Sequence, residues 1–130
     1  MTNSKKPEIG KLYDRKEISE MFGGSYRRAL PFKNGDVVSG CFDPTLNPNA
    51  PVEILVGLGR DRVRYSQRIV EQNTPIPIFL KRASKKYEFV GYYRATKYSD
   101  NRKEVKDKNK SNRNHDDIAA VLYFEKAEAV

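Results

Sequence analysis

Three basic-aromatic groups are where this sequence could do chemistry. The first is Tyr26-Arg27-Arg28, just after Gly23-Gly24. Glycine lets a backbone approach a phosphate closely, and arginine offers a forked set of donors. The second is the run Arg60 to Arg68, with Arg60, Arg62, Arg64 and Arg68 on a predicted helix and Gln67 suited to a base edge. The third is Lys81-Arg82 at a strand end, beside Tyr92-Tyr93 on the following strand. A base stacked on tyrosine contributes about 1–3 kcal/mol, and a neighbouring cation can hold its phosphate. Asn47 and Asn49, in a proline-rich loop, add two amides able to bond base edges. Taken singly, each group reads first as a solvated charged face over core aromatics. Their convergence on one small sheet is what points to binding.

The charge balance agrees. A formal net charge of +8 in 130 residues makes a field that attracts polyanions and favours counterion release on binding them. Catalytic constellations are missing. The single histidine, His115, falls in a polar segment, so His-dependent nucleophiles and multi-histidine metal sites are not expected. The single cysteine, Cys41, excludes an internal disulfide and reads as a buried strand thiol. Gly57-Leu58-Gly59 lacks the third glycine of a dinucleotide fingerprint, and no Walker lysine follows a glycine pair. Asp14, Glu17 and Glu20 lie along one short helix, and Glu53 and Glu88 read as strand surface charges. No enzyme, metal or cofactor is therefore expected. The polar Met1–Lys6 stretch has no apolar run behind it, which predicts no signal peptide, no membrane contact and a cytoplasmic protein.

The elements that must position these residues follow from spacing. Asp14 and Glu17 form a capping box for a helix over 14–22, with Ile18, Met21 and Phe22 on one face. Asn34-Gly35 turns into a strand over 36–42, and a rigid loop with Pro44, Pro48 and Pro51 leads to a strand over 52–57. A helix from Asp61 to about Gln72 precedes strands over 76–82 and 87–95, joined by a hairpin at 84–86. Alternation puts Tyr87, Phe89, Gly91 and Tyr93 on one face, and Val90, Tyr92 and Arg94 on the other. Residues 1–11 read as a flexible arm and 97–115 as a mobile basic loop, because neither can bury enough surface to offset ordering. A last strand spans 118–124. The expectation is one α+β domain over 1–130: a small, strongly bent mixed sheet or pseudo-barrel with two short helices packed outside.

The chain also resembles a known module. Phe22-Gly23-Gly24-Ser25, Cys41-Phe42-Asp43-Pro44, Asn47-Pro48-Asn49-Ala50-Pro51 and Lys81-Arg82 with Phe89-Val90-Gly91-Tyr92-Tyr93-Arg94 resemble a module that accompanies nuclease domains in bacterial restriction endonucleases. More broadly the chain is similar to the PUA-like superfamily of SRA, EVE and ASCH readers. The resemblance implies a β-barrel that takes a modified or flipped base into an aromatic pocket, in restriction or phage defence, with a nuclease partner. It covers about residues 13–95. SRA readers carry a Tyr-Asp-Gly triplet at a comparable place, and this chain has no aspartate there.

Together these readings predict a DNA-binding module. Tyr26, Tyr92 or Tyr93 would stack on a base, Asn47, Asn49 and Gln67 would bond base edges, and Arg27, Arg28, Arg64, Lys81 and Arg82 would hold phosphates. The site is expected as a cationic concavity between the strands at 76–82 and 87–95. An RNA-binding PUA-like module and a protein-interaction regulator stand as alternatives.

Overall fold

The computed structural model describes residues 6–111 and 117–128. The first helix, α1 (Arg15–Phe22), opens on the expected capping box: Asp14 accepts from the Glu17 amide at 2.8 Å, and Glu17 accepts from the Asp14 amide at 3.0 Å. Before it lies a short strand, β1 (Leu12–Tyr13). Residues 1–5 of the expected arm lie outside the described residues, whereas Gly10 and Lys11 are tied to the Phe89 backbone.

A hairpin of β2 (Phe32–Lys33) and β3 (Asp36–Val37) turns through Asn34 and Gly35, both at positive φ (52° and 89°). The strand expected over 36–42 is thus split, and its second half is β4 (Gly40–Phe42). There follow β5 (Glu53–Gly57), α2 (Arg60–Gln72), β6 (Ile76–Ala83), β7 (Lys86–Ser99), α3 (Arg102–Ser111) and β8 (Ile118–Ala127).

The main sheet runs β4-β6-β7-β8-β5, with β1 paired to β7; β4–β6 is parallel and the other pairs are antiparallel. This corrects the expected β-barrel. The sheet stays open, without strong curling, and β4 and β5 are its unjoined edges. Closure needs a ladder between first and last strands. Here β4 offers three residues, and the connection after it is held as a loop, Asn47 accepting from the Leu55 amide at 2.8 Å.

Among the described residues three helices pack around the sheet, where two were expected. The third lies in the segment read as a mobile loop: residues 97–99 finish β7, α3 covers 102–111, and residues 112–116, His115 among them, lie outside the described residues. Val105 packs against the cluster of Leu55, Ile118 and Val121, and Asn101 caps the first turn by accepting from the Glu104 amide at 3.1 Å. Tertiary docking supplies what the composition of the segment lacks.

The two sheet faces carry separate cores. On one face Tyr13, Ile18, Cys41, Phe79 and Phe89 pack under α1. On the other, Leu30, Phe42, Ile54, Val56, Ile76, Ile78, Leu122 and Phe124 pack with Ile69 of α2. A bulge redistributes the expected alternation. Ile78 faces Gly91 but Phe79 faces Phe89, so Val90 is an extra residue and the faces exchange there. Tyr87, Phe89 and Tyr92 consequently share the α1 side, while Val90 and Tyr93 join the α2 side.

Burial pushes the Cys41 thiol up to about 11, against smaller downward pulls from Arg15 and Ser39. The thiolate is the reactive form. Folded protein is therefore expected to resist a disulfide thiol reagent at pH 7.5, and to react fully in denaturant. Rapid labelling of the folded chain would contradict this burial.

Candidate nucleic-acid interface

The loop after α1 carries the first cationic group. Gly23 and Gly24 have φ of 90° and 81°, and a Cβ on Gly24 would come within 2.6 Å of the Pro31 Cβ. Glycine is required there by both conformation and space. The loop is pinned to β4 by the Cys41 amide donating to Ala29 O at 2.8 Å, and to the connection after β3 by the Val38 amide donating to Pro31 O at 2.9 Å. It displays Tyr26, 51% exposed, with the Arg27 guanidinium 5.7 Å from its ring centre.

Arg28 reaches from this loop to the first turns of α2. Its guanidinium donates to Asp61 at 3.2 Å, and Arg64 pairs with the same carboxylate at 3.4 Å. Both guanidinium groups lie 5.1 Å from the ring centre of Tyr65, which also stacks on Phe32 at 4.6 Å. The helix starts at Gly59, so no side chain caps its first amides, and its dipole adds to the local positive potential. An open cleft of about 470 Å³ is lined by Arg28, Leu58, Gly59, Arg60, Asp61 and Arg62. One carboxylate, Asp61, thus stands among Arg28, Arg60, Arg62 and Arg64. Half-exposed ion pairs of this kind contribute about 0–1 kcal/mol to stability, so the cluster adds little to the fold and leaves positive charge in excess.

Arg15 connects this cluster to the third predicted group. It donates to the Arg28 carbonyl oxygen, and its guanidinium sits 5.5 Å from the Tyr87 ring centre. Tyr87 faces Lys81 across the β6–β7 ladder, and Arg82 pairs with Glu88 at 2.8 Å. One chain of contacts therefore runs Lys81, Tyr87, Arg15, Arg28, Tyr65, Arg64. Arg15, Asp61 and Tyr65 were not singled out from the sequence as members of this site. The only signal for them was position: Arg15 opens a helix, and Tyr65 lies one turn beyond Asp61, beside Arg64.

The remaining predicted residues are placed differently. Asn47 is buried, with its amide engaged by Leu55 N and Asp43 O, and Asn49 donates to Glu53 at 2.7 Å. Gln67 is exposed on α2, but Arg68 is committed to Asp36 and to Gly35 O. Tyr92 and Tyr93 are half-buried on opposite sheet faces, and burial raises the Tyr92 phenol above its ordinary value. No concavity opens between β6 and β7, because the two strands pair directly. Among the described residues no group of three His, Cys, Asp or Glu side chains is placed to hold a metal ion, and no helix is long and apolar enough to cross a membrane.

Glu53 anchors α3 through Lys108 at 2.8 Å. Burial alone would raise its carboxyl, but hydrogen bonds from Lys108 and Asn49 and the Lys108 charge outweigh it and leave it below the ordinary 4.5. A depressed carboxylate contributes stability above its unfolded value, and that stability is lost as pH falls through the folded one. Glu53→Gln is expected to destabilise the chain at pH 7 by on the order of 1 kcal/mol. The penalty should shrink in urea melts as the pH is lowered below the ordinary carboxylate range. A deficit independent of pH would contradict the ion pair.

No protein-family model matches the chain, and no curated protein matches it. Solved structures do. The structure of the SUVH5 SRA domain with hemimethylated CG DNA matches at a TM-score of 0.53 and 11% identity, covering 100% of this chain and 98% of that one. KRYPTONITE in complex with mCHG DNA and SAH matches at 0.58 and 13% identity, covering 98% of this chain and 35% of that one. This chain therefore spans about a third of the KRYPTONITE chain. At such identities the likeness is one of fold: this is a small domain that folds like the SRA domain of those structures. Nothing in the comparisons ties it to restriction enzymes.

Proposed function

We propose that this chain is a nucleic-acid-binding module that takes duplex DNA, a modified base included, and works by binding without catalysis. The observation that carries this reading is the continuous arginine–tyrosine surface from Lys81 to Arg64, set on an SRA-like fold. The SUVH5 SRA domain with that fold is described in complex with hemimethylated CG DNA.

In this reading Arg27, Arg28, Arg64 and Lys81 hold phosphates, Tyr26 stacks on a base, and Gln67 offers its amide to a base edge. Arginine suits phosphate because its planar fork donates two parallel hydrogen bonds. Flipping a base costs a few kcal/mol, which stacking and edge hydrogen bonds can offset. A restriction or phage-defence setting, with a nuclease partner doing the cleavage, is favoured by the resemblance to restriction-enzyme modules. The same surface would take DNA in any other setting.

Fluorescence anisotropy with plain, hemimethylated and fully methylated duplexes, and with structured RNA at matched salt, tests the proposal. The expected result is saturable duplex binding that falls steeply with salt and is tightest for a modified duplex. Equal affinity for all duplexes would remove the modified base, and preference for RNA would remove DNA. Binding to none of them would remove the function.

A further inference from the structure

We infer that α3 is a second, base-independent contact for duplex DNA, with Arg102, Lys106 and Lys110 laid along one phosphate strand. This rests on the reading of the chain as a DNA-binding module, but it concerns a different surface. The helix is divided by function along its length. Its inner side is fixed to the sheet: Glu104 accepts from Ser99 and from the Tyr123 hydroxyl, Val105 packs on Leu55 and Val121, Lys108 pairs with Glu53, and Asn109 accepts from the Ile118 amide at 3.0 Å. Its outer side carries Arg102, Lys106 and Lys110 at four-residue intervals, with Lys103 and the one outward carboxylate, Asp107, beside them. These four cations are exposed, and among the described residues no ion pair engages them. Arg102, Lys106 and Lys110 line an open groove of about 510 Å³, together with Asp100, Val105 and Ala119.

The spacing suits a polyphosphate. Residues four apart on a helix are about 6 Å apart along its axis, so the three cations extend over about 12 Å. One DNA strand carries a phosphate about every 3.4 Å of axis, so the row spans three to four phosphate steps, with a cation for about every second phosphate. An anionic membrane is a poorer occupant, because surface helices insert an apolar face and Val105, the sizeable apolar residue of α3, is turned inward. A solubilising charge run would need no anchors, whereas these cations stand on a helix tied down at four positions. The anchored backbone fixes where the cations emerge, so only their side chains remain to be ordered on meeting phosphate.

The test compares salt dependence in the full chain. Replacing Arg102, Lys106 and Lys110 by glutamine should make the slope of log K against log salt shallower by about 2.7, at about 0.9 per cation removed. Any preference for a modified duplex should persist, since this surface reads no base. A control replacing Lys11, Lys16 and Lys33, which removes the same charge elsewhere, should change the slope by less than half as much. Circular dichroism and thermal melts establish that the variants fold. An unchanged slope in the α3 variant, or equal slopes in variant and control, overturns the inference while leaving the DNA-binding reading intact. Absence of duplex binding by the unaltered chain overturns both.

Discussion

Replacing Arg28 and Arg64 together by glutamine should weaken duplex binding about a hundredfold at 0.1 M salt, while shifting the melting temperature by only a few degrees. Hydrogen bonds to charged groups contribute about 1.5–3 kcal/mol each, and tenfold in Kd corresponds to about 1.4 kcal/mol. Two such contacts thus account for a loss of this size. The small stability effect follows from exposure, since the arginine side chains are 42% and 62% accessible. Asp61 supplies the test of sign. It is the shared partner of both arginines, and its charge opposes an approaching phosphate. Asp61→Asn should therefore tighten binding severalfold, the reverse of what a purely structural ion pair would give. Anisotropy titrations on the two variants and the unaltered chain decide it. Weakened binding in Asp61→Asn with its fold intact would mean that the pair positions the arginines rather than restraining them.

The largest stability effect should come from Phe79→Ala. Phe79 is fully buried, and its ring meets Tyr13 at 6.0 Å, Phe22 at 6.2 Å and Phe89 at 5.2 Å. Truncating a ring this enclosed removes its transfer energy and leaves a cavity, together costing about 3–5 kcal/mol. For a domain with about 5–15 kcal/mol in hand, that approaches the margin of folding. Calorimetry should show a drop in Tm of about 10–20 °C. The effect reaches the interface, because Phe79 seats α1 against the sheet and α1 carries Arg15, the link between the Lys81 and Arg28 groups. Phe79→Leu should lose much less stability and keep DNA affinity. A Phe79→Ala protein melting within 3 °C of the unaltered chain would show that the α1 core is not organised as described.

Local signals in the sequence were legible where they were self-contained. The Asp14–Glu17 capping box sets α1, Asn34-Gly35 sets its hairpin, and the breakers at 73–75 close α2 before β6. The charge groups at 26–28, 60–68 and 81–82 were visible as well, because lysine and arginine announce themselves. What spacing could not supply was any relation fixed by tertiary contact. The bulge at Val90 exchanges the faces of Tyr92 and Tyr93, bringing Tyr92 rather than Tyr93 to the side of Tyr87 and Phe89, and period-two alternation carries no sign of an extra residue. Asn47 reads as an exposed loop amide, yet it is buried as the fastener of its own loop. Composition read residues 97–115 as unstructured, but contacts from Leu55, Glu53 and Tyr123 hold much of that stretch as α3. The expected barrel failed on the same ground, since strand order and edge pairing are properties of the whole chain. Arg15 joined the interface by way of a backbone carbonyl, a partner no motif encodes.

The most direct test of the central claim is an amide chemical-shift titration of the chain with a short modified duplex. The arginine–tyrosine surface predicts the largest shifts at residues 25–30, 60–67 and 81–87, with saturation at one duplex per chain. Shifts confined to other elements, or none at a concentration where anisotropy reports binding, would contradict it.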